Sequence, residues 1–314
     1  MQLSKTAYMA LPERSNRLEN LVSGLPLVKD YPLLKVVAID PIARARLQTV
    51  TNFYLWKTLS IFFPSRRFDM VPDIVQAYPE ALAQLPNITP NGVVLPKIEN
   101  FLAYNEIHAC LADIIKSYGL GSRIERLQLP VNVRLVNGIA DATVDGRPLA
   151  SAKAHTDVWA GDSAAATLVS LVVLGSAEAA TVRYFEPEEF PDDLIRPLKD
   201  YNEGASILEK CHEYDCQLDD SGLFLMDALL IHQTTKLKKG YRLSLDLRFV
   251  SNEKLDSDKF NGYEGKENYV SFEEWSAFGR SRLVETQAPL AKYTGAAKGT
   301  AGYVPPFRTA VFKD

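Results

Sequence analysis

The spacing of apolar residues changes character near Ile124. Before that point it is helical. Asp40-Pro41 reads as a helix start, because Asp can accept from free first-turn amides and Pro loses nothing where its missing N–H has no partner. The run 42–63 carries Leu47, Val50, Tyr54, Leu55 and Leu59 at helical spacing, and Pro64 ends it. A second helix is predicted over 104–118, with Ile107, Leu111, Ile114 and Ile115 in one stripe and Gly119 at its C-terminal cap. Between the two, Pro72, Pro79, Pro86, Pro90 and Pro96 divide the chain into short helices and turns.

Past Ile124 the pattern becomes one of short strands. They are predicted over 127–136, 166–174, 180–185, 222–231 and 242–250, separated by Gly, Asp and Ser. Short strands at this spacing predict a β-sandwich or barrel rather than βαβ units. The chain is therefore expected to be α+β with a mainly β core. A helical region (1–123) packs on that core (124–251), followed by a polar extension (252–314), all within one structural domain. The extension holds one short predicted helix near 271–278 and a loop-like tail from Gly295.

Composition narrows the partners. Over 314 residues, 46% are apolar and 24% charged, the balance of an ordinary globular protein. A formal net charge of -4 argues against general binding to nucleic acid or acidic membranes. The start, MQLSKTAYMALPERSNR, lacks the apolar run of a signal peptide, and the most apolar stretch, 168–174, is too short to span a bilayer. Three cysteines, Cys110, Cys211 and Cys216, form no disulfide framework, so a cytoplasmic location is expected.

The chemistry gathers around two of only four histidines. His155-Thr156-Asp157 sets an imidazole and a carboxylate at positions i and i+2, which on a strand share one face. His232 follows the apolar run GLFLMDALLI, which can deliver it to the same place. Two histidines and one carboxylate on one side of an ion leave three positions for other ligands, the usual arrangement for non-haem iron(II). An HxD pair alone is more often a surface or core contact. Arg242, ten positions after His232, opens the strand RLSLDLRFV. Leu243, Leu245, Leu247 and Phe249 share one face of it, while Arg242, Ser244, Asp246 and Arg248 share the other. A guanidinium turned inward beside a metal site needs an anionic ligand to offset its burial.

HTD, IHQTT and then RLS resemble the iron(II)/2-oxoglutarate-dependent dioxygenase superfamily, over roughly 127–250. The resemblance implies a double-stranded β-helix core, jelly-roll and cupin-like. It implies Fe(II) on His155, Asp157 and His232, and 2-oxoglutarate held by Arg242 and Ser244. It also implies O2 as cosubstrate, release of succinate and CO2, and hydroxylation or a related oxidation of a small polar metabolite. No PGSH-type segment accompanies the second His, which leaves the subfamily open. Asp157 favours oxygenation over halogenation, since the halogenating branch lacks that carboxylate. Two other readings stand beside it: a non-redox jelly-roll isomerase or epimerase, and a binding protein without catalysis.

Other residues carry two readings each. Trp159 either packs on substrate or plugs the core. Asn132 and Arg134 either face inward, toward substrate or 2-oxoglutarate, or lie solvated on a strand edge. Arg248 is expected in a salt bridge. The Cys211, His212 and Cys216 cluster lacks the further ligands a structural zinc site needs. His108 reads as structural, Lys236, Lys238 and Lys239 as a solvated turn, and Tyr293, Tyr303 and Phe307 as packing residues.

Overall fold

The computed structural model describes residues 11–253, 269–286 and 307–311. Helix α1 (Leu11–Val22) leads into a hairpin of β1 (Leu27–Tyr31) and β2 (Leu34–Ala38). Helix α2 (Pro41–Phe62) starts where expected: the Asp40 carboxylate accepts from the Ile42 and Ala43 amides at 3.0 and 2.9 Å. Two short helices, α3 (Ile74–Ala77) and α4 (Pro79–Leu82), fill the Pro-rich stretch before α5 (Phe101–Ser117). Gly119, at φ +66°, then turns the chain.

The β core follows as β3 (Ile124–Gln128), β4 (Asn132–Asn137), the short helix α6 (Ala142–Asp145), β5 (Ala166–Gly175) and β6 (Ala180–Pro187). It continues through β7 (Cys211–Gln217), β8 (Gly222–Asp227), β9 (Ile231–Lys236) and β10 (Tyr241–Ser251). After the extension's first segment come β11 (Tyr269–Ser271), α7 (Phe272–Trp275) and a separate pair of strands, β12 (Arg282–Thr286) with β13 (Phe307–Val311).

The strands form two principal antiparallel sheets. The larger runs β1-β2-β8-β5-β10-β3-β11, and β4 also pairs with β10. The smaller runs β7-β6-β9. One face of the large sheet carries Val169, Leu225, Leu243, Leu245, Leu247 and Phe249 against Tyr54 and Leu55 of α2 and Ile107 and Leu111 of α5. Its other face meets the small sheet through Leu168, Val172, Phe224 and Met226 against Val182, Tyr184, Tyr214 and Cys216. Each sheet buries its apolar face, and helices cover what the second sheet does not. Among the described residues, no helix is long and apolar enough to cross a membrane.

Three expectations change. The N-terminal region is not only helical, because β2 pairs with β8 from Leu34↔Met226 to Ala38↔Gly222 and so joins the large sheet. Its run LKVVA is buried almost throughout, and such short apolar runs have no period to separate strand from helix. The strand predicted over 127–136 is two strands, broken around Pro130, which has no N–H to give a ladder. The strand predicted over 222–231 is also two, in different sheets. Asp227 makes the break by accepting from the Leu229 amide at 2.9 Å.

Candidate metal centre

His155 and His232 are tied through the main chain. Each donates its backbone N–H to the other's carbonyl, at 3.0 and 2.8 Å, as an isolated antiparallel bridge. Asp157 lies past the bridge and opens a turn of 3-10 helix, Asp157–Ala160, rather than continuing a strand. The Thr156 hydroxyl faces the Trp159 amide at 3.4 Å, and Gly161 closes the turn at φ +102°. The i, i+2 pair still converges, by a turn and not by a shared strand face.

The ligand atoms of His155, Asp157 and His232 all lie within 4.8 Å of one another, and all three residues are buried. The imidazole centroids are 4.4 Å apart, and His232 Nε2 is 3.8 Å from Asp157 Oδ1. Backbone carbonyls can only accept. The His155 contact to the Lys153 carbonyl (2.8 Å) and the His232 contact to the Leu230 carbonyl (3.1 Å) therefore require a proton on each Nδ1. Both Nε2 lone pairs are left for a cation.

Burial, with His232 alongside, pulls the His155 pKa down to about 3, and burial lowers that of His232 as well. Burial pushes the Asp157 carboxyl up, but Arg248 and His232 outweigh it and hold the group at about 2. Two neutral imidazoles and one carboxylate are the protonation states that bind a divalent metal. The Tyr201 ring stacks flat on His155, with centroids 4.5 Å apart and planes 9° apart.

The second part of the site is on β10. Arg242 and Ser244 are buried on its inner face, at 1% and 0% exposure. Arg242 donates from Nη1 to the Ala180 carbonyl at 3.1 Å. Its Nε and the Ser244 hydroxyl have no partner among the described residues. Burial, followed by the charge of Arg134, lowers the Arg242 pKa to about 10. A buried cation beside an orphaned hydroxyl fits a carboxylate, which supplies the acceptors both lack. The Tyr184 hydroxyl, also buried without a partner among the described residues, is within electrostatic reach of Arg242.

Arg134 faces inward. It donates to the Asn91 carbonyl at 3.1 Å and to Asp246 at 3.3 Å, and its charge is felt at both site histidines. Asn132 is half-buried one pleat away, opposite Asp246. Trp159 is fully buried beside Phe190 and Tyr201, with its indole N–H on the Leu194 carbonyl at 3.0 Å. Its position is that of a packing residue rather than a wall open to substrate. Arg248 forms its expected salt bridge, to Asp157 itself at 2.9 Å and also to Asp162 at 2.9 Å.

Cys211, His212 and Cys216 lie along β7, away from this cluster. His108 is buried beside Tyr104, Trp275 and Phe278. Lys236 pairs with Asp145, and Lys238 with Glu178. Tyr293 and Tyr303 lie outside the described residues, as do the side-chain surroundings of Phe307. Sequence reasoning did not find Tyr201, Tyr184 or Asp162. Only the polar stripe 242, 244, 246 and 248 on an otherwise apolar strand pointed toward their neighbourhood.

No family model matches the sequence, and no curated protein matches it. Solved structures similar to this chain include AviO1 from Streptomyces viridochromogenes Tue57, at 13% identity and TM-score 0.40, covering 80% of this chain and 99% of that one. They also include the non-heme alpha ketoglutarate dependent epimerase SnoN from nogalamycin biosynthesis (12% identity, TM-score 0.38, 84% and 98% covered). A third is EctD from S. alaskensis with 2-oxoglutarate and 5-hydroxyectoine (12% identity, TM-score 0.35, 84% and 87% covered).

Proposed function

We propose that this protein is an iron(II)- and 2-oxoglutarate-dependent oxygenase built on a double-stranded β-helix. In this reading residues 124–251 are the catalytic core, joined by β1, β2 and β11. The helices of 1–123 back it, and the extension 252–314 belongs to the same structural domain. His155 and His232 would hold iron through Nε2, and Asp157 through Oδ1. Arg242 and Ser244 would hold the carboxylate of 2-oxoglutarate far from the metal. Bound iron would supply the oxidation of an unactivated C–H bond of a small polar metabolite by O2, with 2-oxoglutarate leaving as succinate and CO2.

The observation that carries this reading is the pair of orphaned polar atoms on Arg242 and Ser244, on the inner face of β10. A metal site alone gives no reason to bury a guanidinium with its Nε unmet. A non-redox isomerase, which uses no 2-oxoglutarate, would need the histidines but not this pair of unmet groups. The chain's own residues have defined tasks. Lys153 and Leu230 carbonyls hold the imidazole tautomers, burial excludes water, and Arg242 fixes the direction in which a dicarboxylate lies.

The test is anaerobic addition of Fe(II) and 2-oxoglutarate, followed through the weak visible charge-transfer band of the chelate. Wild-type protein should develop the band. His155→Ala and Asp157→Ala should lose it at limiting metal. Arg242→Ala should need about tenfold or more 2-oxoglutarate, the scale of a charge-assisted hydrogen bond. A wild-type protein without the band, or an Arg242→Ala titration that overlays it, would overturn the assignment.

A further inference from the structure

The turn that positions Asp157 also brings a second carboxylate beside it. The Asp162 amide donates to the Asp157 carbonyl at 3.1 Å, closing the turn across Gly161. Arg248 reaches both carboxylates from the inner face of β10, with Nε 2.9 Å from Asp157 Oδ2 and 2.9 Å from Asp162 Oδ2. The two carboxylate oxygens are therefore no further from each other than twice that distance. On the other side of the guanidinium, Nη1 donates to Gln128 Oε1 of β3 at 3.3 Å, which fixes its plane. The Asp157 carboxylate is thus divided. Oδ1 faces His232 Nε2, and Oδ2 faces Arg248.

Carboxylates are hard ligands that bind a cation through one oxygen or two, and a second carboxylate nearby competes for the same ion. Asp157 Oδ2 belongs to the same carboxylate as the oxygen facing His232, while Asp162 lies outside the cluster of candidate ligand atoms and is held by Arg248. We infer that Arg248 is a positioning residue, which limits the metal to one carboxylate oxygen by occupying Asp157 Oδ2 and retaining Asp162. A site with two histidines and one oxygen keeps three positions for exchangeable ligands, and each added oxygen removes one. A chelating cosubstrate together with O2 requires all three. The inference rests on the metal reading above.

The experiment counts exchangeable ligands without turnover. Mn(II) is added to the purified protein without 2-oxoglutarate. Bound ion is quantified by electron paramagnetic resonance, and the water-proton relaxation rate is measured per bound ion. In Arg248→Gln, relaxation per bound Mn(II) should fall by about a third, the loss of one of three exchangeable positions. Gln128→Ala, which leaves Arg248 in place, should fall less. Should Arg248→Gln fail to fold, the pair Arg248→Met with Asp162→Asn is measured instead. It removes the cation together with the carboxylate that cation neutralises. The same fall is expected, because Asp157 Oδ2 is released in it too. Relaxation per ion equal to wild type in whichever variant folds would overturn the role of Arg248 and leave the metal site standing. Wild-type protein that binds no Mn(II) would overturn both.

Discussion

His108 lacks the carbonyl contact at Nδ1 that orients His155 and His232; instead its Nε2 accepts from the Val131 amide at 3.4 Å. It is fully buried on α5, with Nε2 3.3 Å from the Tyr104 hydroxyl and Nδ1 unpartnered among the described residues. Burial alone pulls its pKa from 6.5 to about 3. Between those values the unfolded chain binds a proton that the folded chain refuses. Stability from this group is therefore complete above the unfolded value and is lost as pH falls toward the folded one. The slope is at most roughly 1.4 kcal/mol per pH unit for one group, and the lowered pKa values of His155 and His232 act with the same sign. Urea midpoints should fall as pH is lowered from about 7 to about 4, and fall less steeply in His108→Gln. A variant with an unchanged slope would assign the acid sensitivity elsewhere. At this scale the candidate ligands were legible because HTD and the Arg-x-Ser ten positions past His232 are local patterns. Tyr201 and Asp162 were not. Tyr201 meets His155 only when a distant 3-10 segment folds back, and Asp162 looks like an ordinary turn residue until Arg248 arrives from β10.

The 3-10 segment Tyr201–Lys210 shows how an element can serve the site without contributing a ligand. Asp200 and Glu203 cap its start reciprocally, and Lys153 holds Asp200 at 2.9 Å, close to His155 in sequence. Gly204 within it lies flat on Trp159, where a Cβ would come 2.1 Å from the indole ring. Trp159 is fully buried and hydrogen-bonded, so it has little room to yield. Gly204→Ala should cost about 1–3 kcal/mol as an overpacked core does. It should also weaken metal binding by displacing Tyr201 from His155. A Gly204→Ala protein with wild-type thermal midpoint and Mn(II) affinity would show that the segment can slide freely. Among the elements, α2 was legible from its Asp40-Pro41 start and Pro64 stop, α5 from its apolar stripe, and β10 from its alternating faces. The break between β8 and β9 was not. Ala228, Leu229 and Leu230 continue an apolar run, and all three are buried because the chain crosses from one sheet to the other through the interior.

Over the whole molecule, the crossing between the sheets is where distant parts of the chain meet. Asp227 accepts from Arg14 at 2.8 Å and from Arg17 at 3.1 Å, so α1 grips the turn just before His232. Burial opposes the charge on Asp227, but the two guanidinium groups outweigh it and lower its pKa. That contact was invisible in the sequence, since nothing local in 11–22 points to a turn so far along the chain. The double backbone bridge between His155 and His232 has a consequence in time as well as in space. Two of the three candidate metal-binding positions are joined by main-chain hydrogen bonds, so the seat is expected to form by folding rather than by metal binding. Loading should be one fast kinetic phase with no refolding step, unlike small domains that are unfolded without their ion. Stripping the ion with a chelator should leave the far-ultraviolet circular dichroism unchanged. Restoring it at about a hundredfold excess over its dissociation constant should add about 2.7 kcal/mol of stability by mass action. A chelated protein that loses its β signal would mean the ion is part of the scaffold. One that keeps it can be emptied and refilled repeatedly, so the same folded chain would outlast any ion it carries.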